Sequence, residues 1–391
     1  MDYLLATASY IVPFVVVLGV VVFVHEYGHF IVGRLCGVKA DAFSLGFGPE
    51  LFAFLDKRGT RWRISAIPLG GYVKFHGDAN AVTAGVSEEF ERMSPQERAV
   101  TFAGQPVWKR AAVVFAGPFF NFLLAIALYW GMFALVGRPL VVDGQLVVAP
   151  RISAVQADGA GAKSGFRAGD LVKSVDGEPI ESFAQFQKRI AGSPGKTLHI
   201  VVERDAAPID LEASPAAVDA KDGRVIGRLG LNSSEDIRDM RMQKAGPVES
   251  LGLAFEETWS IVEQTGKFIG GIFAGRESAS QLSGPIGIAE ASGRMAQKIG
   301  SLGIWPLINL IALLSVSVGL LNLMPVPLLD GGHLMFFAIE AVRGRALNER
   351  LQEYAFRIGF VMVSSLMLLA TYNDLARHLS APSASIERKA P

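Results

Sequence analysis

Apolar residues fall in four long blocks, and the stretches between them are polar and rich in turn residues. The first block, from Tyr3 to Val24, carries no charged residue, which predicts a membrane-spanning helix over residues 1–34. Further spans are predicted at 111–136, 304–330 and 358–373. Arg34 and Lys39 follow the first span, and Lys109 and Arg110 precede the second. By the positive-inside rule those ends face the cytoplasm, so both chain termini are expected outside. The start of the chain lacks a basic n-region, so the first block reads as a retained helix and not a signal peptide.

The segments between the spans carry other periods. Residues 35–110 form a cytoplasmic-side loop region. Within it, alternation over Arg61–Ile67 and Tyr72–Phe75, with Pro68-Leu69-Gly70-Gly71 as the turn, predicts a membrane-associated β-hairpin over 61–75. Ser87 to Arg98 reads as a charged, helix-like, solvated stretch. After the second span the composition turns soluble up to Lys298, so this part is expected outside. Within it, residues 145–213 read as a small β-rich domain. The features are a strand Leu171–Val175, an Asp176-Gly177 hairpin turn, and a helix opened by Ser182 that ends near Ile190, followed by a strand Thr197–Glu203. This order resembles a bacterial-type PDZ domain, which takes an extended peptide or C-terminus as an added strand. Leu251, Phe255, Trp259, Val262 and Ile269 then recur at helical spacing, predicting an amphipathic helix over 247–275. Its apolar stripe suits either a protein core or the membrane interface. The tail beyond Ser380 reads as disordered.

Composition narrows the class. Half of the residues are hydrophobic and the mean hydropathy is +0.35, as expected for a protein of the lipid bilayer. Lys plus Arg and Asp plus Glu number 37 each, so no global charge calls for nucleic acid. Cys36 is the single cysteine, which excludes an intramolecular disulfide and a thiolate metal cage.

The chemistry lies where the first apolar block ends, at His25-Glu26-Tyr27-Gly28-His29. On a helix, residues i and i+4 share a face, so His25 and His29 can offer imidazole nitrogens to one metal ion. Glu26 stands about 100° round the helix, suited to handling a water's proton rather than to ligation. Two imidazoles and a carboxylate are expensive at membrane depth and are kept there mainly for function. The third span ends in Asn322-Leu323-Met324-Pro325-Val326-Pro327-Leu328-Leu329-Asp330-Gly331-Gly332-His333, where the prolines stop the helix. Topology brings this end to the same side of the membrane. Asp330 is then the expected third ligand of a catalytic Zn2+ site, with His333 as its rival. Asn121 in the second span reads as glue between helices.

His25-Glu26-Tyr27-Gly28-His29, Pro68-Leu69-Gly70-Gly71-Tyr72-Val73-Lys74, Gly117-Pro118-x-x-Asn121-Phe122 and Asn322-x-x-Pro325-x-Pro327-x-Leu329-Asp330-Gly331-Gly332 together resemble the site-2 protease family. The resemblance is strongest to its bacterial regulator-of-sigma-E branch and covers nearly the whole chain. It implies a polytopic α-helical intramembrane zinc metalloprotease of the bacterial inner membrane, with an inserted extracytoplasmic PDZ domain. It also implies a single-span membrane protein as substrate, of the anti-sigma-factor type and already trimmed by a first cleavage. Asn322 takes the position of a substrate or oxyanion hydrogen-bond donor. The strand through Gly70, Gly71 and Tyr72 is the place for an unwound substrate to add as a strand. Well-known members of that branch carry two tandem PDZ domains, whereas one is legible in this sequence. Two other functions fit parts of the pattern: a membrane-anchored zinc protease cutting soluble loops, and a non-catalytic membrane-tethered PDZ adaptor. Zinc content and a cleavage assay discriminate among the three.

Overall fold

The computed structural model describes residues 2–77, 92–142, 145–219 and 224–380. The chain divides into two compact units. One comprises residues 1–131, 251–297 and 306–391; the other comprises 132–250 and 298–305.

The first unit is built on helix α1 (Asp2–Leu35) and a sheet of two long, bent strands, β1 (Ala40–Leu55) and β2 (Arg61–Phe75). Helix α2 (Val107–Leu135) follows. Later in the chain come α3 (Pro247–Phe273), α4 (Pro285–Gln297), α5 (Trp305–Asn322), α6 (Asp330–Arg343) and α7 (Glu349–Ser380). Among the described residues, four helical stretches are long and apolar enough to cross a membrane: Ala8–Leu35, Val107–Leu135, Trp305–Asn322 and Arg350–Arg377. Ile11, Val12, Leu123, Val361 and Leu368 on these helices are all more than two-fifths exposed. Soluble proteins do not present apolar area on that scale; lipid is the solvent that suits it. The third span stops at Asn322, short of the expected 330, because Pro325 and Pro327 cannot continue the ladder. The fourth helix extends well beyond 358–373 at both ends.

The expected hairpin needs correction. Residues 68–71 do not form its turn; the chain reverses at Asp56–Thr60, and β2 runs through 68–71 without a break. Gly70 takes φ +117°, which bends the strand and does not end it. Ala42 to Leu45 is flanked on one side by Arg61–Ile64 and on the other by Gly71–Lys74. Arg61–Ile64 in turn faces Phe52–Leu55. Four strand segments therefore lie side by side, with 71–75 at one edge and 50–55 at the other. The reversal is fixed by the Asp56 carboxylate, which accepts the backbone N–H groups of Arg58 and Thr60 and pairs with Arg34 at the end of α1. Burial opposes ionisation of Asp56, but these donors prevail and hold it at about 2. The Ser87–Arg98 expectation lies partly outside the described residues; Pro95–Arg98 is a helical turn with a Ser94–Glu97 capping box. The tail beyond 380 lies outside them entirely.

Helix α3 resolves the two readings of its stripe. Ser250, Ala254, Thr258, Ile261 and Gly271 are buried, while Phe255 and Trp259 are more than half exposed. These two large apolar side chains thus do not pack on the described protein core, whereas Val262 and Ile269 of the same stripe are half-buried. Helix α4 starts under α7: the Asp374 carboxylate accepts the Gly287 N–H at 2.8 Å.

The second unit holds a four-stranded sheet in the order 207–213, 198–204, 171–175, 178–179, backed by the helix Phe183–Ala191. Asp176 and Gly177 both take positive φ, as a two-residue hairpin turn demands. Ser182 caps the helix by accepting the Gln185 N–H. Val172, Ile200, Val202 and Phe186 form the centre of its core. Asp170, fully buried, is held by the Arg204 guanidinium at 2.7 Å. The boundary 145–213 is too short. Leu229 belongs to the same core, and strand Leu231–Ser233 pairs with Ile152–Val155. These late strands are only three or four residues long, too short for alternation to register in the sequence.

Candidate metal centre

Helix α1 carries His25 and His29 one turn apart, facing α2. The two helices meet closely here, because a Cβ on Gly28 would lie 2.5 Å from the Ala116 carbonyl oxygen. A Cβ on Gly117 would overlap the His29 ring, so this glycine is the seat of the imidazole. The opposite ring nitrogen is tied down: His29 Nδ1 donates to the Val113 carbonyl at 2.9 Å. That bond fixes the tautomer and leaves Nε2 with a free lone pair.

His25 is held in the same way by a residue that the sequence reading placed elsewhere. The Asn121 side-chain amide lies 3.2 Å from His25 Nδ1, and Asn121 is fully buried. With its oxygen toward the ring, the amide accepts Nδ1–H and gains a partner that this buried oxygen otherwise lacks. His25 Nε2 then points the same way as His29 Nε2. Asn121 does link helices as well, but through its backbone carbonyl, which accepts from Ser315 Oγ at 2.9 Å. The placement of Asn121 three residues after Pro118 was the available signal.

The third donor comes from a different kind of backbone. After Asn322 the chain runs irregularly to Leu329 and re-enters a helix at Asp330, the first residue of α6. Gly331 and Gly332 sit against the carbonyls of Leu323, Met324 and Val326, so close that a Cβ at either would collide with backbone. Leu328 adopts φ +103°, a strained value for a leucine. The result aims Asp330 Oδ2 at both imidazoles, 3.2 Å from His25 Nε2 and 3.6 Å from His29 Nε2. The ligand atoms of His25, His29 and Asp330 all lie within 4.8 Å of one another. Asp330 Oδ2 is buried with no hydrogen-bond donor. Two imidazole nitrogens with lone pairs and an orphan carboxylate oxygen, converging on one point, are a donor set that suits zinc.

The other expected residues border the same cavity, of about 410 Å³. Glu26 lines it beside the ligand face of α1, and Gly70, Gly71 and Tyr72 line it from the sheet edge. Gly71 is a close-approach position, where a Cβ would lie 3.1 Å from Glu26 Cγ and 2.8 Å from the Ser44 carbonyl oxygen. Asn322 Nδ2 comes within 3.2 Å of His25 Nε2. His333 also lines the cavity, but its ring packs on Phe356 at 5.3 Å and it does not join the three-donor group.

Comparison with known proteins gives the family. The profile described as "Peptidase family M50" matches residues 13–366. A protein of Agrobacterium fabrum named as a zinc metalloprotease is 45% identical over 94% of this chain and 96% of its own length. The metalloprotease MmpA of Caulobacter vibrioides is 36% identical over 94% of this chain and 96% of its length. The regulator of sigma-E protease RseP of Escherichia coli is 32% identical over 93% of this chain and 98% of its length. The chain belongs to peptidase family M50 and is a zinc metalloprotease of the membrane.

Proposed function

We propose that this enzyme hydrolyses peptide bonds within or beside the membrane-spanning segment of single-span membrane proteins. In this reading His25, His29 and Asp330 hold the zinc, and Glu26 is the catalytic base. The observation that carries it is the convergence of three donor atoms beside helices long and apolar enough to cross a membrane. A site so placed is of little use to a substrate that stays in water.

Zinc held by His25, His29 and Asp330 would supply a Lewis acid able to acidify water and polarise a carbonyl. The chain's residues do the remainder. The Glu26 carboxylate takes the proton of the attacking water and returns it to the departing amine nitrogen. Asn322 donates from Nδ2 to the carbonyl oxygen as charge develops on it. Asn121 and the Val113 carbonyl keep both imidazoles oriented throughout.

A membrane helix hides its carbonyls in its own ladder, so the substrate must unwind locally before cleavage. The sheet edge at 71–75, unpaired among the described strands and lining the cavity, suits an unwound segment as its next strand. The glycines at 70 and 71 let this edge pass close to Phe47 and Glu26.

The second unit acts as a PDZ-type filter outside the membrane, taking an extended peptide or a trimmed C-terminus. A groove of about 900 Å³ between the helix Phe183–Ala191 and the stretch 226–233 supports this role. Both termini lie in the periplasm, and the substrate is an anti-sigma-factor-type protein after its first cleavage. The name of the RseP relative, a regulator of sigma-E, supports that choice.

The test is a membrane assay on a single-span substrate, paired with metal analysis of the purified protein. Glu26→Gln is expected to keep stoichiometric zinc and lose cleavage by a factor of about 10³ or more, the scale of losing a positioned base with its water. Cleavage retained in that variant, or confined to soluble loops, sinks the reading.

A further inference from the structure

A second cavity, of about 420 Å³, opens beside the metal centre between α1 and the sheet. It shares Val22 and Gly70 with the first. Its walls are apolar: Val15, Val16 and Phe23 on the helix, Leu45, Ile64 and Pro68 on the sheet. Ser65, the one polar side chain in the lining, is buried with its hydroxyl 3.3 Å from that of Ser44.

The wall that matters is Gly19. Glycine inside a helix costs about 1 kcal/mol relative to alanine, so it usually marks a close neighbour. Gly28 and Gly33 on the same helix fit that rule, one against Ala116 and the other against the Phe75 ring. Gly19 does not: among the described residues a Cβ there would meet nothing within 4 Å, as at Gly131, Gly252, Gly266 and Gly270 on other helices, but Gly19 lines the cavity next to the first. It faces the second cavity, and Val22 and Glu26 continue the same helix face at intervals of three and four into the first. The missing side chain is therefore space left for something that arrives along the path to the base.

We infer that this cavity is a specificity subsite for a large apolar side chain of the substrate, leucine- or phenylalanine-like, bound as the substrate extends along the sheet edge. The inference rests on the intramembrane-protease reading above. Gly19 lies seven residues, or about 10 Å, from Glu26 along the helix axis. An extended chain covers that distance in about three residues. The recognised side chain is thus about three residues from the bond that is cut.

The test exchanges bulk between enzyme and substrate. Gly19→Leu fills the cavity from a position with free space around it. It is expected to keep stoichiometric zinc and to cut a substrate bearing leucine at the recognised position at least tenfold more slowly. Replacing that leucine by alanine should bring the variant back to within about twofold of the wild-type enzyme on the same alanine substrate. A leucine-to-alanine scan of the substrate with wild-type enzyme locates the position beforehand. Gly19→Ala, with less added bulk, should fall between the two. If Gly19→Leu cuts both substrates at wild-type rates, or slows both equally while holding zinc, the cavity is not a side-chain subsite. Should the wild-type enzyme cut no single-span substrate at all, the functional reading fails instead, and the two failures are distinct.

Discussion

Two kinds of backbone deliver the donors of the candidate metal centre. His25 and His29 stand on an uninterrupted helix, and their spacing alone puts them on one face. Asp330 stands after a seven-residue irregular stretch, and nothing periodic aims it. The helix obtains precision from its own ladder, and its partner seats the imidazoles with Gly117, the Val113 carbonyl and the Asn121 amide. The irregular segment obtains it from collisions narrowly avoided: Gly331 and Gly332 against three carbonyls, and a leucine held at positive φ. Regular structure positions a ligand by repetition. Irregular structure does so by excluding every alternative, and it is the more fragile of the two.

The strongest way to break this comparison is to remove the irregular donor. Asp330→Ala should abolish both zinc retention and cleavage, whereas His333→Ala should leave zinc bound, as metal analysis of the two proteins would show. Exchanged phenotypes would mean that the third donor is His333. Next in size is Gly331→Ala, which adds one methyl group and touches no donor. Its Cβ has nowhere to go but into the Leu323 and Met324 carbonyls. Zinc affinity should fall more than tenfold, by competition with a chelator, if backbone exclusion aims Asp330. Asn121→Ala tests the helical side, where loss of a hydrogen bond to a ligating histidine is expected to lower zinc affinity by about 10–100-fold. The smallest effect belongs to Leu328→Gly. It removes φ strain and adds chain entropy, so unfolding free energy should rise by about 1 kcal/mol or less with zinc retained. A large loss of zinc there would show that the leucine side chain itself, not the backbone, shapes the site.

The sequence was legible wherever a period or a run carries the information. Helices α1, α2, α5 and α7 follow from uncharged length, and the Asp176-Gly177 turn and Ser182 cap from residue chemistry. That His25 and His29 share a helix face follows from spacing, and the cost of an anion at that depth singled out Asp330; the structure brings these three donor atoms together. What escaped was set by long-range packing. The flanking of Ala42–Leu45 on both sides by β2 depends on a bend at Gly70 that alternation does not announce. The Asn121 amide reaches His25 only because α1 and α2 pack glycine to backbone, so the residue read as helix glue. The late strands of the second unit were too short to show a pattern.

The far edge of the sheet, 50–55, has a consequence for handling the enzyme. Leu51, Phe52, Phe54 and Leu55 are each more than half exposed, on a strand with no described neighbour on that side. Acyl chains are the cover that suits those side chains. In a micelle stripped of lipid, the same strand is a sticky hydrogen-bonding ribbon, and a second molecule offers the matching ribbon. Glu50, held ionised at about 2 by hydrogen bonds from Arg61 and Arg63, is the charged residue at the start of that ribbon. Aggregation during delipidation should therefore begin at the rim of the sheet, while the buried metal centre is still intact.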